Sequence, residues 1–125
     1  MKRPRNIQLR SGVKSHFSFL QWNQEFDWCG TDVLNFKNIN SKVLRTYNKI
    51  KFYYYNSLIL EISHREHYTY RSLGYLTVTT KRRLNEWGPL NIWQEDFIWY
   101  YENEFGEKTE FSENMIVDIH GKRLN

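Results

Sequence analysis

The chain has 125 residues, the size of one domain, and its 18 Lys and Arg exceed its 14 Asp and Glu by four, a mildly basic balance. Aromatic residues supply 18% of the sequence, Asn occurs 12 times and Ala never, which excludes wholesale disorder, counts against a helical bundle and favours strands. No apolar run approaches the ~20 residues of a membrane span, no apolar stretch follows Met1–Arg5 as a secretory signal requires, and the single Cys29 excludes an internal disulfide or a zinc site with more than one thiolate.

In chain order, residues 1–6 read as a flexible basic arm ahead of a single globular domain, residues 7–125. Ile7–Leu9 and, after a Ser11-Gly12 turn, Val13–Leu20 are expected as short strands. The stretch 21–40 is ambiguous, with Trp22, Phe26 and Trp28 expected to pack inward. Between Tyr47 and Ser63, Lys49, Lys51, Tyr53 and Tyr55 alternate with Ile50, Phe52 and Tyr54, the period of a strand. An Asn56-Ser57 turn then leads into Leu58–Ile62, completing a hairpin. A second hairpin is expected from Tyr68 to Thr79, turning near Ser72–Gly74. Thr80 reads as the N-cap of a helix through Trp87, closed by Gly88-Pro89. Ile92–Tyr101, Thr109–Phe111 and Met115–Ile119 complete the strands, with a turn at Gly106. The predicted class is α+β, one mostly antiparallel sheet of about five to seven strands with one or two short helices.

Charge is unevenly placed. Residues 1–65 carry 11 bases and 4 acids, whereas residues 66–125 carry 7 bases and 10 acids. Lys37, Lys42, Arg45, Lys49 and Lys51 form a stretch free of acids, and Glu95–Asp118 holds Lys108 as its one base. Such a dipolar chain can steer charged partners, or its two ends can pair on the folded surface.

The segment Leu76–Trp87 (Leu-Thr-Val-Thr-Thr-Lys-Arg-Arg-Leu-Asn-Glu-Trp), with Trp99-Tyr100-Tyr101 and Phe111–Ile116, resembles small uncharacterised proteins encoded by tailed bacteriophages. It covers about the last half of the chain and rests on a Thr-Thr strand-to-helix step and a C-terminal aromatic strand pair. The resemblance implies a phage origin and residence in the host cytoplasm, and it brings no activity with it.

Four constellations bear on function. His16-Phe17-Ser18-Phe19 and His67-Tyr68-Thr69-Tyr70 share the pattern His, aromatic, hydroxyl, aromatic. On adjacent strands each His and hydroxyl would share one face, and two imidazoles would flank a phosphodiester as base and acid. This resembles the two-histidine phosphoesterases, which implies cyclic-nucleotide hydrolysis by His16, Ser18, His67 and Thr69; ordinary sheet histidines are the expectation. No metal or other cofactor is expected, because His64, His67 and His120 lack a complete ligand set and Cys29 lacks a base beside it.

Arg3, Arg5, Lys49 and Lys51 are candidates for direct nucleic-acid contact. Thr80, Lys81, Arg82 and Arg83 are candidates for a phosphate at a helix N-terminus, where three cations otherwise oppose the helix dipole. Pairing of Arg82 and Arg83 with the acidic segment is the competing outcome. Tyr53 and Tyr55 are expected in the core opposite Leu58 and Leu60, with a base-stacking platform as the alternative. Last, Glu102, Glu104, Glu107, Glu110 and Glu113 alternate with aromatics and read as an acidic partner-binding face anchored by Trp99 and Phe105, with an ordinary solvated sheet face as the competing expectation. The expected protein is a small, non-enzymatic accessory protein that inhibits a host nucleic-acid-handling complex, such as a restriction or CRISPR nuclease. Direct binding of RNA or single-stranded DNA is the alternative. No membrane contact is expected, and the oligomeric state stays open.

Overall fold

Period-two alternation places the side chains of the central strand. Along Lys49–Tyr54, Ile50 and Phe52 are buried while Lys49, Lys51 and Tyr53 are half-buried on the opposite face. The computed structural model describes residues 5–7, 18–25, 30–36, 40–71 and 78–125. Its elements are β1 (Arg5–Ile7), α1 (Phe19–Glu25), β2 (Val33–Phe36), β3 (Ser41–Arg45), β4 (Lys49–Tyr54), β5 (Ser57–Ser63), β6 (Tyr68–Tyr70), α2 (Val78–Trp87), β7 (Ile92–Glu95), β8 (Ile98–Glu102), β9 (Lys108–Glu110) and β10 (Ile116–Val117). The fold is the expected α+β class, dominated by antiparallel pairs.

The strands divide between two sheets. The larger has seven strands in the order β1-β2-β3-β4-β5-β6-β10, antiparallel throughout except for the parallel β1–β2 pair. The smaller is a β7-β8-β9 meander. Cross-strand register in the large sheet aligns Leu34, Val43, Phe52, Leu60 and Tyr70 on one face, all buried. Both helices pack there. Trp22 of α1 meets Phe52 edge-on with centroids 5.1 Å apart, and Trp87 of α2 stacks on Phe52 at 5.1 Å and Phe36 at 5.4 Å. Burying such rings contributes ~1.5–3 kcal/mol each, so this layer of aromatics holds helices and sheet together.

The small sheet joins the same core through Ile92, Tyr101 and Phe111, the last edge-on to Tyr70 at 5.4 Å. Asn85 of α2 fixes the junction. Its amide donates to the Ile92 carbonyl at 3.0 Å, and its side-chain oxygen accepts from the Ile92 N–H at 2.8 Å. One side chain thus satisfies a strand-edge residue as a neighbouring strand would.

Several boundaries differ from the sequence expectation. Ser18–Leu20 leads into a helix where a strand was expected. The Ser18 Oγ accepts from the Gln21 N–H at 3.1 Å and the Gln21 Oε1 from the Ser18 N–H at 2.9 Å, a reciprocal capping box. The Glu66 carboxylate, reaching in from the β5–β6 turn, accepts from the Phe19 N–H at 2.8 Å and so satisfies a further free donor of that first turn. Arg5 lies in β1 and so outside the expected arm; Arg3 lies outside the described residues. The β4–β5 turn is Tyr55-Asn56, one residue earlier than expected. The expected second hairpin does not form, since β6 pairs with β5 and β10 and residues 78 and 79 are helical; the turn at 72–74 lies outside the described residues. Ile92–Tyr101 is a hairpin and not one strand, because Asp96 and Phe97 both take positive φ, 50° and 67°. Trp22 is fully buried, as expected; Phe26, Trp28 and Cys29 lie outside the described residues. Among the described residues no helix is long and apolar enough to cross a membrane.

Candidate functional site

Two surfaces concentrate charge and exposed rings. The first is the face of the large sheet turned away from the helices. Register places Lys42 opposite Tyr53 and Lys51 opposite both Leu44 and Glu61, with Lys49 two residues along β4. The Lys42 ammonium lies 5.2 Å from the centroid of the Tyr53 ring, a cation–π distance. Glu61 is buried on this face. Its carboxylate accepts from the Arg71 guanidinium at 2.9 and 3.0 Å and stands 3.9 Å from the Lys49 ammonium. Arg71 is steadied in turn by Asn114 at 2.9 Å. Lys49 is therefore partly neutralised, whereas Lys42 and Lys51 pair with no acid among the described residues.

At one end of this face, beside the Tyr55-Asn56 turn, lies an open cavity of about 330 Å³ lined by Asn35, Asn40, Lys42, Tyr53 and Tyr55, with Ser41 in its wall. Tyr55 is 62% exposed and held by Asn40, whose amide donates to the Tyr55 hydroxyl at 2.6 Å and whose carbonyl accepts from the Tyr55 N–H at 2.9 Å. The expectation that Tyr53 and Tyr55 are core residues is corrected. Tyr53 falls on the lysine face by alternation, and Tyr55 sits at a turn with φ 51°.

The second surface is the small sheet. The face carrying Trp93, Glu95, Ile98, Tyr100, Glu102, Lys108 and Glu110 points away from the core, since Ile92 and Tyr101 occupy the other. Lys108 donates to Glu95 at 2.9 Å and lies 4.7 Å from the Tyr100 centroid. That hydrogen bond holds the Glu95 carboxyl below its ordinary value and pushes the Lys108 ammonium up. Glu102, Glu104, Glu107, Glu110 and Glu113 are all exposed, and none forms an ion pair among the described residues. At the two turns Phe97 is 92% and Phe105 77% exposed. The Asn103 Oδ1 accepts from the Phe105 and Glu107 N–H groups, both at 2.9 Å, and so fixes the second turn.

Other candidates are not brought together. Ser18 caps α1, so the two His-containing tetrapeptides do not lie on adjacent strands; His67 is exposed beside a turn, Thr69 is half-buried in β6, and His16 lies outside the described residues. Helix α2 begins two residues before Thr80, which is therefore inside the helix and buried. Arg83 is buried and bonded to Glu86 at 3.2 Å within the same helix, not to the acidic segment, while Arg82 is exposed; a converging phosphate cradle does not form at these residues. Trp99 packs against the core beside Tyr101, because residues two apart on β8 share a face, so it is not an outward anchor. Among the described residues no three His, Cys, Asp or Glu gather in a way that would hold a metal ion.

The residues that sequence reasoning passed over are Phe97, Lys42 as the partner of Tyr53, and the Glu61–Arg71 pair. An Asp-Phe step inside an apolar run was the available signal for the first; the others depend on register between strands. No family model, curated protein or solved structure matches the chain.

Proposed function

We propose that this chain works by binding, without catalysis, and that the small sheet engages and inhibits a basic, nucleic-acid-handling protein complex. The observation that carries this reading is Phe97, an almost fully exposed ring beside Asp96 on a turn whose two residues both have positive φ, at one end of a strand whose other end carries Glu102. The left-handed region costs a non-glycine residue ~1–2 kcal/mol, and a strained, exposed aromatic beside a carboxylate suits a partner contact. Glu104, Glu107 and Glu113 extend the negative surface, and Phe105 gives a second apolar anchor. Carboxylates on a rigid meander meet Lys and Arg of a nucleic-acid groove much as phosphates do. The phage resemblance makes a host restriction or CRISPR nuclease the first target to examine.

The test is affinity capture from nuclease-treated host lysate with the parent and with a variant carrying Glu102→Lys, Glu104→Lys, Glu107→Lys and Glu110→Lys. One nucleic-acid-processing complex should stay bound to the parent after nuclease and be lost from the variant, with circular dichroism unchanged. Retention of that complex by the folded variant would refute the reading.

A further inference from the structure

Lys42, Lys49 and Lys51 share one face of the large sheet, and Lys42 and Lys51 are diagonal neighbours across β3 and β4, a separation of ~7–8 Å. Along β4 the step from Lys49 to Lys51 is ~6.6 Å. Cations spaced this way on strands form a fixed track, and Lys42 and Lys51 in it pair with no acid among the described residues. The track ends at the cavity that Tyr53 and Tyr55 help to line, whose wall also includes Asn35 and Asn40. The cavity sits at the lower end of the 300–1,000 Å³ range of ligand pockets, a size for one base.

We propose that this face binds single-stranded nucleic acid, with one unpaired base between Tyr53 and Tyr55 and the adjoining phosphates on Lys42, Lys51 and Lys49. The amides of Asn35 and Asn40 supply donors and acceptors to the base edge, and the Tyr rings supply the stacking surface. A duplex hides its base faces and so cannot use the cavity. A free nucleotide fills the cavity and leaves the track empty. The site is separate from the small sheet, so its test does not depend on the partner proposed above.

The experiment is fluorescence anisotropy with the full chain and labelled 15-nucleotide single-stranded DNA and RNA, across a salt series. Three phosphate contacts at ~0.7 ions each give a log–log salt slope near −2, or about twentyfold weaker binding from 50 to 200 mM. Lys42→Glu with Lys51→Glu should weaken binding at least tenfold and flatten that slope. Tyr55→Asn removes the ring while placing a residue that accepts positive φ at the turn, so the fold is kept. It should weaken binding at least fivefold, the ~1 kcal/mol of one lost stack. The proposal is overturned if no oligonucleotide binds at 50 mM salt, if either folded variant binds like the parent, or if the matching duplex or a nucleoside monophosphate competes as well as the single strand.

Discussion

The lysines of the seven-stranded sheet stand on strands, whereas the carboxylates of the three-stranded sheet stand largely at turns and strand ends. On strands, register sets the spacing and the apolar stems lie along the sheet, as with Lys42 against Tyr53. At turns the charges gain exposure and reach at the expense of fixed spacing, and they flank Phe97 and Phe105. A periodic track suits a polymer with a repeating charge; acids beside an exposed ring at each of two turns suit the shaped, basic surface of a protein. Both sheets end in a two-residue turn with positive φ and an exposed ring, Tyr55 in one and Phe97 in the other. The same local device therefore serves opposite electrostatic settings.

The two sheets share one core. Phe52 lies under both tryptophans, so Phe52→Ala is expected to cost ~3–5 kcal/mol in denaturant unfolding and to abolish the activity of both surfaces. Phe105→Ala, an equal truncation at an exposed turn, should stay within ~0.5 kcal/mol of the parent. A loss as large at Phe105 would mean that the small sheet is held by its turns and not by Ile92, Tyr101 and Phe111.

The role of Ser18 gives the next effect. Ser18→Ala should destabilise by ~1 kcal/mol through the lost cap, and Ser18→Thr should restore most of it. If Thr at this position were as damaging as Ala in thermal melts, the capping account of α1 would be wrong.

Phe97→Gly sharpens the contrast between folding and binding. Glycine accepts φ 67° without strain, so the variant should gain ~0.5–1 kcal/mol while binding the captured partner at least tenfold more weakly. A variant both less stable and equally competent would show that the ring serves the fold.

The smallest effect is the pH response of the Glu95–Lys108 pair. Because the carboxyl is held below its ordinary 4.5, its contribution is complete above that value and fades as pH falls through the lower, folded one. The difference in melting temperature between the parent and Glu95→Gln should be present at pH 7 and shrink as the pH is lowered below 4.5. Persistence of that difference in acid would remove the ion pair as its cause.

Much of the basic surface was legible because it is local. Alternation from Lys49 to Tyr55 already puts the lysines and Tyr53 on one face, and Leu84 with Trp87 marks the buried side of α2. The capping box at Ser18–Gln21 was equally local, yet the apolar stretch around it reads as a strand until the side chain–backbone bonds are considered. The Asp96-Phe97 turn lacks the glycine that usually marks such a step, so the run through it looked continuous. The cavity was not legible at all. It needs Asn35 from β2, Lys42 from β3 and Tyr53 from β4 brought into register, which only long-range pairing provides.

The most direct test of two separate working surfaces is one pair of assays on one set of proteins. The parent, the Glu102/Glu104/Glu107/Glu110→Lys variant and the Lys42/Lys51→Glu variant are each measured for partner capture after nuclease treatment and for single-stranded oligonucleotide binding. Each folded variant is expected to lose one function and keep the other: the acid-reversed protein still binds oligonucleotide, and the lysine-reversed protein still captures the complex. Loss of both functions in either folded variant would contradict the division of labour between the two sheets.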